Sequence, residues 1–340
     1  MAREVRLAGH LLFWAVLALV QPVHASDDGG QRYRFEGEPV IVNARRSTEV
    51  PESVHASLGA GVVVEAVYEL RSKHASFGGL SGLWIAPDAE RMLVVSDIGK
   101  LWQARLVHDA AGGLIGVEDW SVRDLPLLPE EERRSPWRDA EALAELGSGG
   151  LVVAYEGEHR LRHWRHGDFS QAPRRLVRLD GIGDPSNSGI EALATLEDGR
   201  LLALAERVGA VGGEGLMGWV VDGDVAEDLV YLPKAGFSPT GADRLEKTVF
   251  VVERRFSLIG GFQTRIVALS TEAIRPGARV KGTELAAFRY NDIGENFEAI
   301  AARRAPDGRI LLYLLADDNF SFFQETLLVQ LSLSTEGLVD

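Results

Sequence analysis

The chain has 340 residues, 46% hydrophobic and 25% charged, enough to bury a large core and unlike the composition of a disordered chain. Fifty acidic residues against 36 basic ones leave a net charge of −14, which makes nucleic acid and anionic membrane surfaces poor partners. Cysteine is absent, so disulfides, thiolate metal sites and thiol catalysis are excluded.

Arg3 and Arg6 precede the apolar run LLFWAVLALV (Leu11 to Val20), and VHA, ending at Ala25, puts small residues at the cleavage spacing. The run is too short to span a bilayer, and the three features together form a signal-peptide pattern over residues 1–25. The expectation is an exported protein, periplasmic or secreted, without stable membrane insertion once the peptide is cleaved; an uncut anchor is the alternative. Residues 26–60 read as an N-terminal extension in which FEGEPVIVNARR (Phe35 to Arg46) offers an extra strand or a divergent sixth blade. Residues 61–336 show no domain boundary and read as a single domain, expected to be a monomer.

Beyond residue 61 the chain repeats one pattern at intervals of about 50 to 60 residues: small residues, a short strand, a tight turn, and an apolar strand ending in an acid. The five copies run from Ser81 to Asp97, Glu141 to Glu156, Glu191 to Glu206, Thr240 to Glu253 and Glu298 to Asp317. Asp198-Gly199 and Asp307-Gly308 favour two-residue hairpin turns, and folding each copy about its centre sets its first residue opposite its last. Further strand candidates between the hairpins bring each repeat to about four strands, the content of a propeller blade. ETLLVQLSL (Glu325 to Leu333) follows the last hairpin alone, while GVVVEAVYEL (Gly61 to Leu70) precedes the first. Pairing these two would close the ring and remove its exposed edges. The predicted fold is therefore an all-β propeller of five to six four-stranded blades. A pair of β-sandwiches is the alternative, disfavoured because sandwiches rarely repeat one hairpin at this period.

A radial arrangement gathers the open hairpin ends on one face, with Asp97, Glu141, Glu156, Glu191, Glu206, Glu253, Glu298 and Asp317, followed by Asp318. Crowded carboxylates raise one another's pKa unless a cation sits among them, and oxygen-only ligands favour a hard ion, Ca2+ first. Asn296 and Asn319 offer neutral oxygens beside this set. Arg207, Arg254 and Arg255 follow the strand-end acids and suit an anionic group such as phosphate or carboxylate. Taken singly, each acid has an ordinary reading as a solvated strand end; it is their recurrence that points to a site.

Four stretches, GGLSGLWIAPDAERMLVVSD, EALATLEDGRLLALAER, FSPTGADRL with VVERRFS, and ENFEAIA with LLADDNFS and QETLLVQL, resemble the phytase-like family described by an esterase-like activity. The resemblance spans residues 77–333 and implies an exported β-propeller that hydrolyses phosphate or carboxyl esters, with calcium in an acidic cleft. It carries over to Glu191, Glu206, Glu253, Arg254, Glu298, Asp317, Asp318 and Asn319, and departs from the pattern at Ser81 and Thr240, which offer hydroxyls in place of acids. The expected chemistry is metal-assisted hydrolysis of a small-molecule ester or phosphate. Asp97, Glu141, Glu191, Glu298, Asp317, Asp318 and Asn319 would hold the metal, Glu206 or Glu253 would act as base, and Arg207 or Arg254 would steady the anion. The alternatives are a calcium-stabilised propeller that binds a ligand or protein without chemistry, and a lactonase-like hydrolase.

Overall fold

A computed structural model describes residues 35–47, 58–59, 61–128, 138–146, 150–156, 159–165, 168–179, 189–210, 213–289, 293, 295–320 and 324–334, all within one compact unit. Residues 1–25, and with them the signal-peptide reading, lie outside this set.

Three N-terminal strands come first: β1 (Glu38–Pro39), β2 (Val42–Arg46) and β3 (Val62–Ser72). Blade 1 follows as β4 (Leu80–Ile85), β5 (Arg91–Ser96), β6 (Lys100–His108) and β7 (Leu114–Asp124), and blade 2 as β8 (Ala140–Glu145), β9 (Leu151–Tyr155), β10 (Arg160–Trp164) and β11 (Arg174–Arg178). Blade 3 holds β12 (Ile190–Thr195), β13 (Leu201–Gly209), β14 (Leu216–Asp222) and β15 (Val225–Tyr231). Blade 4 holds β16 (Ser238–Leu245), β17 (Thr248–Ser257) and β18 (Gly261–Ser270), then, after the short β19 (Arg279–Val280), β20 (Thr283–Arg289). Blade 5 is β21 (Phe297–Arg304), β22 (Ile310–Ala316) and β23 (Leu327–Leu333), to which β3 and then β2 add.

The protein is a β-propeller with five blades among its described residues. The sixth blade considered for Phe35 to Arg46 does not form, because that stretch divides: β1 pairs with β7 of blade 1 and β2 with β3 of blade 5. The uniform four-strand expectation is corrected too, since β1, β19 and β2 give blades 1, 3 and 5 a fifth strand. The expected partnership of the two lone strands is present, β3 lying antiparallel to β23 from Val62↔Leu333 to Glu69↔Leu327.

Burial explains the sequence of each strand. The inner β4, β5 and β22 are covered on both faces and are almost wholly apolar, whereas the outer β7 alternates buried with exposed residues. Five apolar clusters fill the spaces between neighbouring blades, and one of them joins Leu315 and Leu328 of blade 5 to Leu83 and Trp102 of blade 1.

The inner strands β4, β8, β12, β16 and β21 all carry an irregularity near their start. Pairing skips Glu141, Glu191, Thr240 and Glu298, and in blade 1 both Ser81 and Gly82. A bulge leaves its extra residue outside the ladder and re-aims its side chain, here at the first position of every repeat. The next residue is always small, because the strands converge there. A Cβ on Gly241 would stand 2.8 Å from the Ala299 Cα, and one on Gly82 2.8 Å from the Leu143 nitrogen. Only a void of about 10 Å3 remains at this level.

These bulges correct the mirrored register. In blades 3 and 5 the turn is a three-residue loop with Gly199 or Gly308 at positive φ, closed by Leu196 N to Arg200 O (2.7 Å) or Ala305 N to Arg309 O (2.9 Å). Loop and bulge each move the mirror by one residue. Glu206 therefore donates its amide to Gly189 O (3.1 Å) and Asp317 to Asn296 O (3.1 Å), two residues before the acids expected opposite them. Blade 4 keeps a two-residue turn, with Leu245 opposite Thr248, and its strand end slips by one residue relative to the other blades.

Candidate active site

At the bulged end of the inner strands a cavity of about 240 Å3 opens on the axis. Its walls carry eight carboxylates, Asp97, Asp139, Glu141, Glu156, Glu191, Glu206, Glu298 and Asp317, with Arg207, Arg254, Ser81 and Asn319. Bulges supply Ser81, Glu141, Glu191 and Glu298; the ends of the second strands supply Asp97, Glu156, Glu206, Arg254 and Asp317. The cavity is thus the repeat itself, read round the axis.

Three of these acids approach one another most closely. One carboxylate oxygen from each of Asp139, Glu141 and Glu156 lies within 4.8 Å of the others, a spacing that a single cation could bridge. Glu156 accepts the Gly189 amide (3.0 Å). Asp317 accepts the amides of Leu80 (2.7 Å) and Asn319 (2.7 Å), which ties blade 5 to the start of blade 1. On the opposite wall Arg254 pairs with Glu298 and Asn296 through one nitrogen and with Glu206 Oε1 (3.0 Å) through another, while Arg207 reaches the same Oε1 at 2.8 Å.

Burial dominates the titration of this ring. It lifts Asp97 to about 6, with the Asp139 charge adding to the rise, and lifts Glu156 to about 7 against the stabilising Gly189 amide. Asp317 also rises to about 7 through burial, opposed by its two amide donors. Glu141 stands well above the carboxylate range through burial and the charges of Glu191 and Asp139, and Glu191 likewise through burial, Glu206 and Glu298. Burial raises Glu298 as well, with Arg254 opposing. Two guanidiniums do not neutralise eight acids, and Asp97 Oδ1 is buried with no hydrogen-bond partner among the described residues. The donor set is all oxygen, partly buried and short of positive charge, and it fits a hard divalent cation.

Of the residues singled out from sequence, Asp97, Glu141, Glu191, Glu206, Arg207, Arg254, Glu298, Asp317 and Asn319 line the cavity. Asp318 does not; its carboxylate accepts the Phe320 amide (3.0 Å). Glu253 is also elsewhere. It pairs with Pro239, the position held by Tyr155, Ala205 and Ala316 in blades 2, 3 and 5, and so faces the inter-blade interior. There it accepts the Tyr231 hydroxyl (2.7 Å) and the Arg265 guanidinium, and it is 1% exposed. The one-residue slip of blade 4 puts Arg254 at the ring position instead. Sequence reasoning missed Asp139, which lies across from Glu156 and receives its amide (2.9 Å). None of its counterparts Gly79, Gly189, Ser238 and Asn296 is an acid, so comparing the repeats for carboxylates could not flag it.

A second chamber of about 440 Å3 shares Glu206, Arg207, Arg254, Glu298 and Asn319 with the first and adds Arg255, Phe256 and Phe262 from the β17–β18 hairpin.

The family model "Phytase-like: Esterase-like activity of phytase" matches residues 75–320. Among solved structures, virginiamycin B lyase from Staphylococcus aureus is similar at 9% identity, covering 86% of this chain and 100% of that one, with a TM-score of 0.41. The PQQ-bound aldose sugar dehydrogenase from Streptomyces coelicolor is similar at 14% identity, covering 82% of this chain and 100% of that one, with a TM-score of 0.37. No functionally curated protein matches the sequence.

Proposed function

The chain belongs to the phytase-like family with esterase-like activity, and from that premise we propose that it hydrolyses phosphate or carboxyl esters at the axial acid cavity with calcium as its metal. The observation that carries this reading is the triad of Asp139, Glu141 and Glu156, three buried or half-buried carboxylates with oxygens within 4.8 Å of one another. These three would hold the ion, with Asp97 beside them; Glu191, Glu298 and Asp317 would complete the acid ring, and Asn319 would supply a neutral oxygen at the mouth. When bound, such an ion supplies electrophilic polarisation of an ester oxygen.

The remaining roles belong to the protein's own groups. Arg254 and Arg207 line the same cavity as the triad and would hold the anionic part of the substrate. Glu206 is preferred over Glu253 as the proton acceptor, because both oxygens of Glu253 are occupied by Tyr231 and Arg265. Both guanidiniums that touch Glu206 bind its Oε1, leaving Oε2 for a proton. We read the β3–β23 pairing as the clasp that closes the ring, and the protein as an exported monomer with a small-molecule substrate.

Calorimetric titration of the chelator-treated protein with calcium tests this reading. Wild type should bind, and Glu141→Gln should bind at least about tenfold more weakly. No binding by wild type would sink the metal mechanism, and binding without turnover of any phosphate or carboxyl ester would leave a calcium-stabilised binding platform.

A further inference from the structure

The second chamber has a composition the metal reading does not require. Phe256 of β17 and Phe262 of β18 are cross-strand partners with ring centroids 4.9 Å apart, and they form an apolar wall on the same hairpin that delivers Arg254 to the acid ring. Phe256 is 57% exposed, unusual for an aromatic of this size. Beside this wall the Arg255 guanidinium lies over the Phe237 ring at 4.9 Å and donates one bond, to Gln263 Oε1 (2.5 Å). Its Nε is buried and has no hydrogen-bond partner among the described residues.

The charge count limits what can enter. Three guanidiniums, Arg207, Arg254 and Arg255, face two carboxylates, Glu206 and Glu298, in this chamber; Arg254 pairs with both and Arg207 with Glu206, so the positive charge in excess sits with Arg255. One anionic group can be matched by the chamber's own guanidiniums, and further anionic groups would depend on a cation in the ring. We propose that the chamber is a subsite for an aryl-bearing anion, with a single phosphate or carboxylate on Arg255 and Arg254 and an aromatic group against Phe256 and Phe262. The substrate class is then an ester of one anion with an aromatic group. This deepens the hydrolase reading and, as a statement about substrate, rests on it.

The test is calorimetric binding of phenylphosphonate against methylphosphonate, and of benzoate against acetate, with and without calcium. The second pair separates a carboxylate ligand from a phosphoryl one. Wild type should prefer the phenyl member of at least one pair by about tenfold, Phe256→Ala/Phe262→Ala should erase that preference, and Arg255→Ala should weaken both members alike. Equal affinities within both pairs, no binding of any probe, or a preference that survives loss of both rings would overturn the proposal. Thermal melting of the variants, altered only at a hairpin end, checks that they remain folded. The two readings fail separately: a phenyl preference without a calcium site defeats the hydrolase and keeps the subsite, and calcium binding with no phenyl preference does the reverse.

Discussion

The two ends of the propeller axis are built from the same five strands and treat charge in opposite ways. Where the inner strands begin, eight carboxylates face two guanidiniums across the cavity. Where they end, each polar group is matched to the next blade. The Trp84 indole donates to Glu145 (3.3 Å), the Thr195 hydroxyl to the Glu145 carbonyl, and Arg244 to the Thr195 carbonyl (2.6 Å). Arg303 joins Asp243 (2.7 Å) of blade 4 and the Ala86 carbonyl (3.1 Å) of blade 1. Hydrogen bonds thus link every adjacent pair of blades at the turn end. One end is organised for stability and the other holds unneutralised charge, the usual division between scaffold and site.

An acid-to-amide exchange should therefore act differently at the two ends. The largest effect is expected for Glu141→Gln, which should lower ester turnover at least about a hundredfold while leaving the chelated protein as stable as wild type or more so, because it removes a buried acid among like charges. Steady-state rates and denaturant unfolding measure the two halves of that statement. Asp243→Asn at the other end should destabilise by about 2–3 kcal/mol without touching the cavity, since Asp243 accepts both Arg303 and the Ala302 amide (2.9 Å); urea denaturation reads it. At the level between the two ends, Gly241→Ala should cost about 1–3 kcal/mol by forcing a Cβ against the Ala299 backbone.

The smallest effect is a pH dependence confined to the acid end. Glu156 and Asp317, pushed up to about 7, and Asp97, pushed up to about 6, hold protons in the folded state that the unfolded chain releases near its ordinary carboxylate values. The sign follows: their contribution is fully present below about pH 4 and is lost as pH rises through about 6 to 7. These acids face Asp139, Glu141, Glu191, Glu206 and Glu298, with Arg254 and Arg207 as the opposing charges. Thermal melting of chelated wild type, compared with Glu156→Gln, should show wild type losing a few degrees relative to the variant between pH 5 and 8. A flat difference would mean that these acids do not titrate as a buried ring.

Much of this arrangement is legible in the sequence because it depends on local signals. Asp198-Gly199 and Asp307-Gly308 mark turns, apolar runs such as ILLYLLA mark strands buried on both faces, and recurrence at a fixed interval marks blades. The register is not legible at single-residue precision. A three-residue loop and a two-residue turn look alike in composition, and a bulge leaves no residue signature beyond the small residue after it. That is why Glu253 is expected at the ring and Arg254 occupies it. Asp139 escapes for a different reason: it belongs to a position where the five repeats have nothing in common, so only the paired strand reveals it.

Below the acids, the void of about 10 Å3 on the axis is about the least that can hold one water molecule. The small residues that let the strands meet therefore also close the floor of the cavity among the described residues, and what enters at the acid end leaves by the acid end. For a hydrolase this means that the anion released at the end of a cycle departs by the face through which the next substrate arrives, and that free product anion should inhibit competitively.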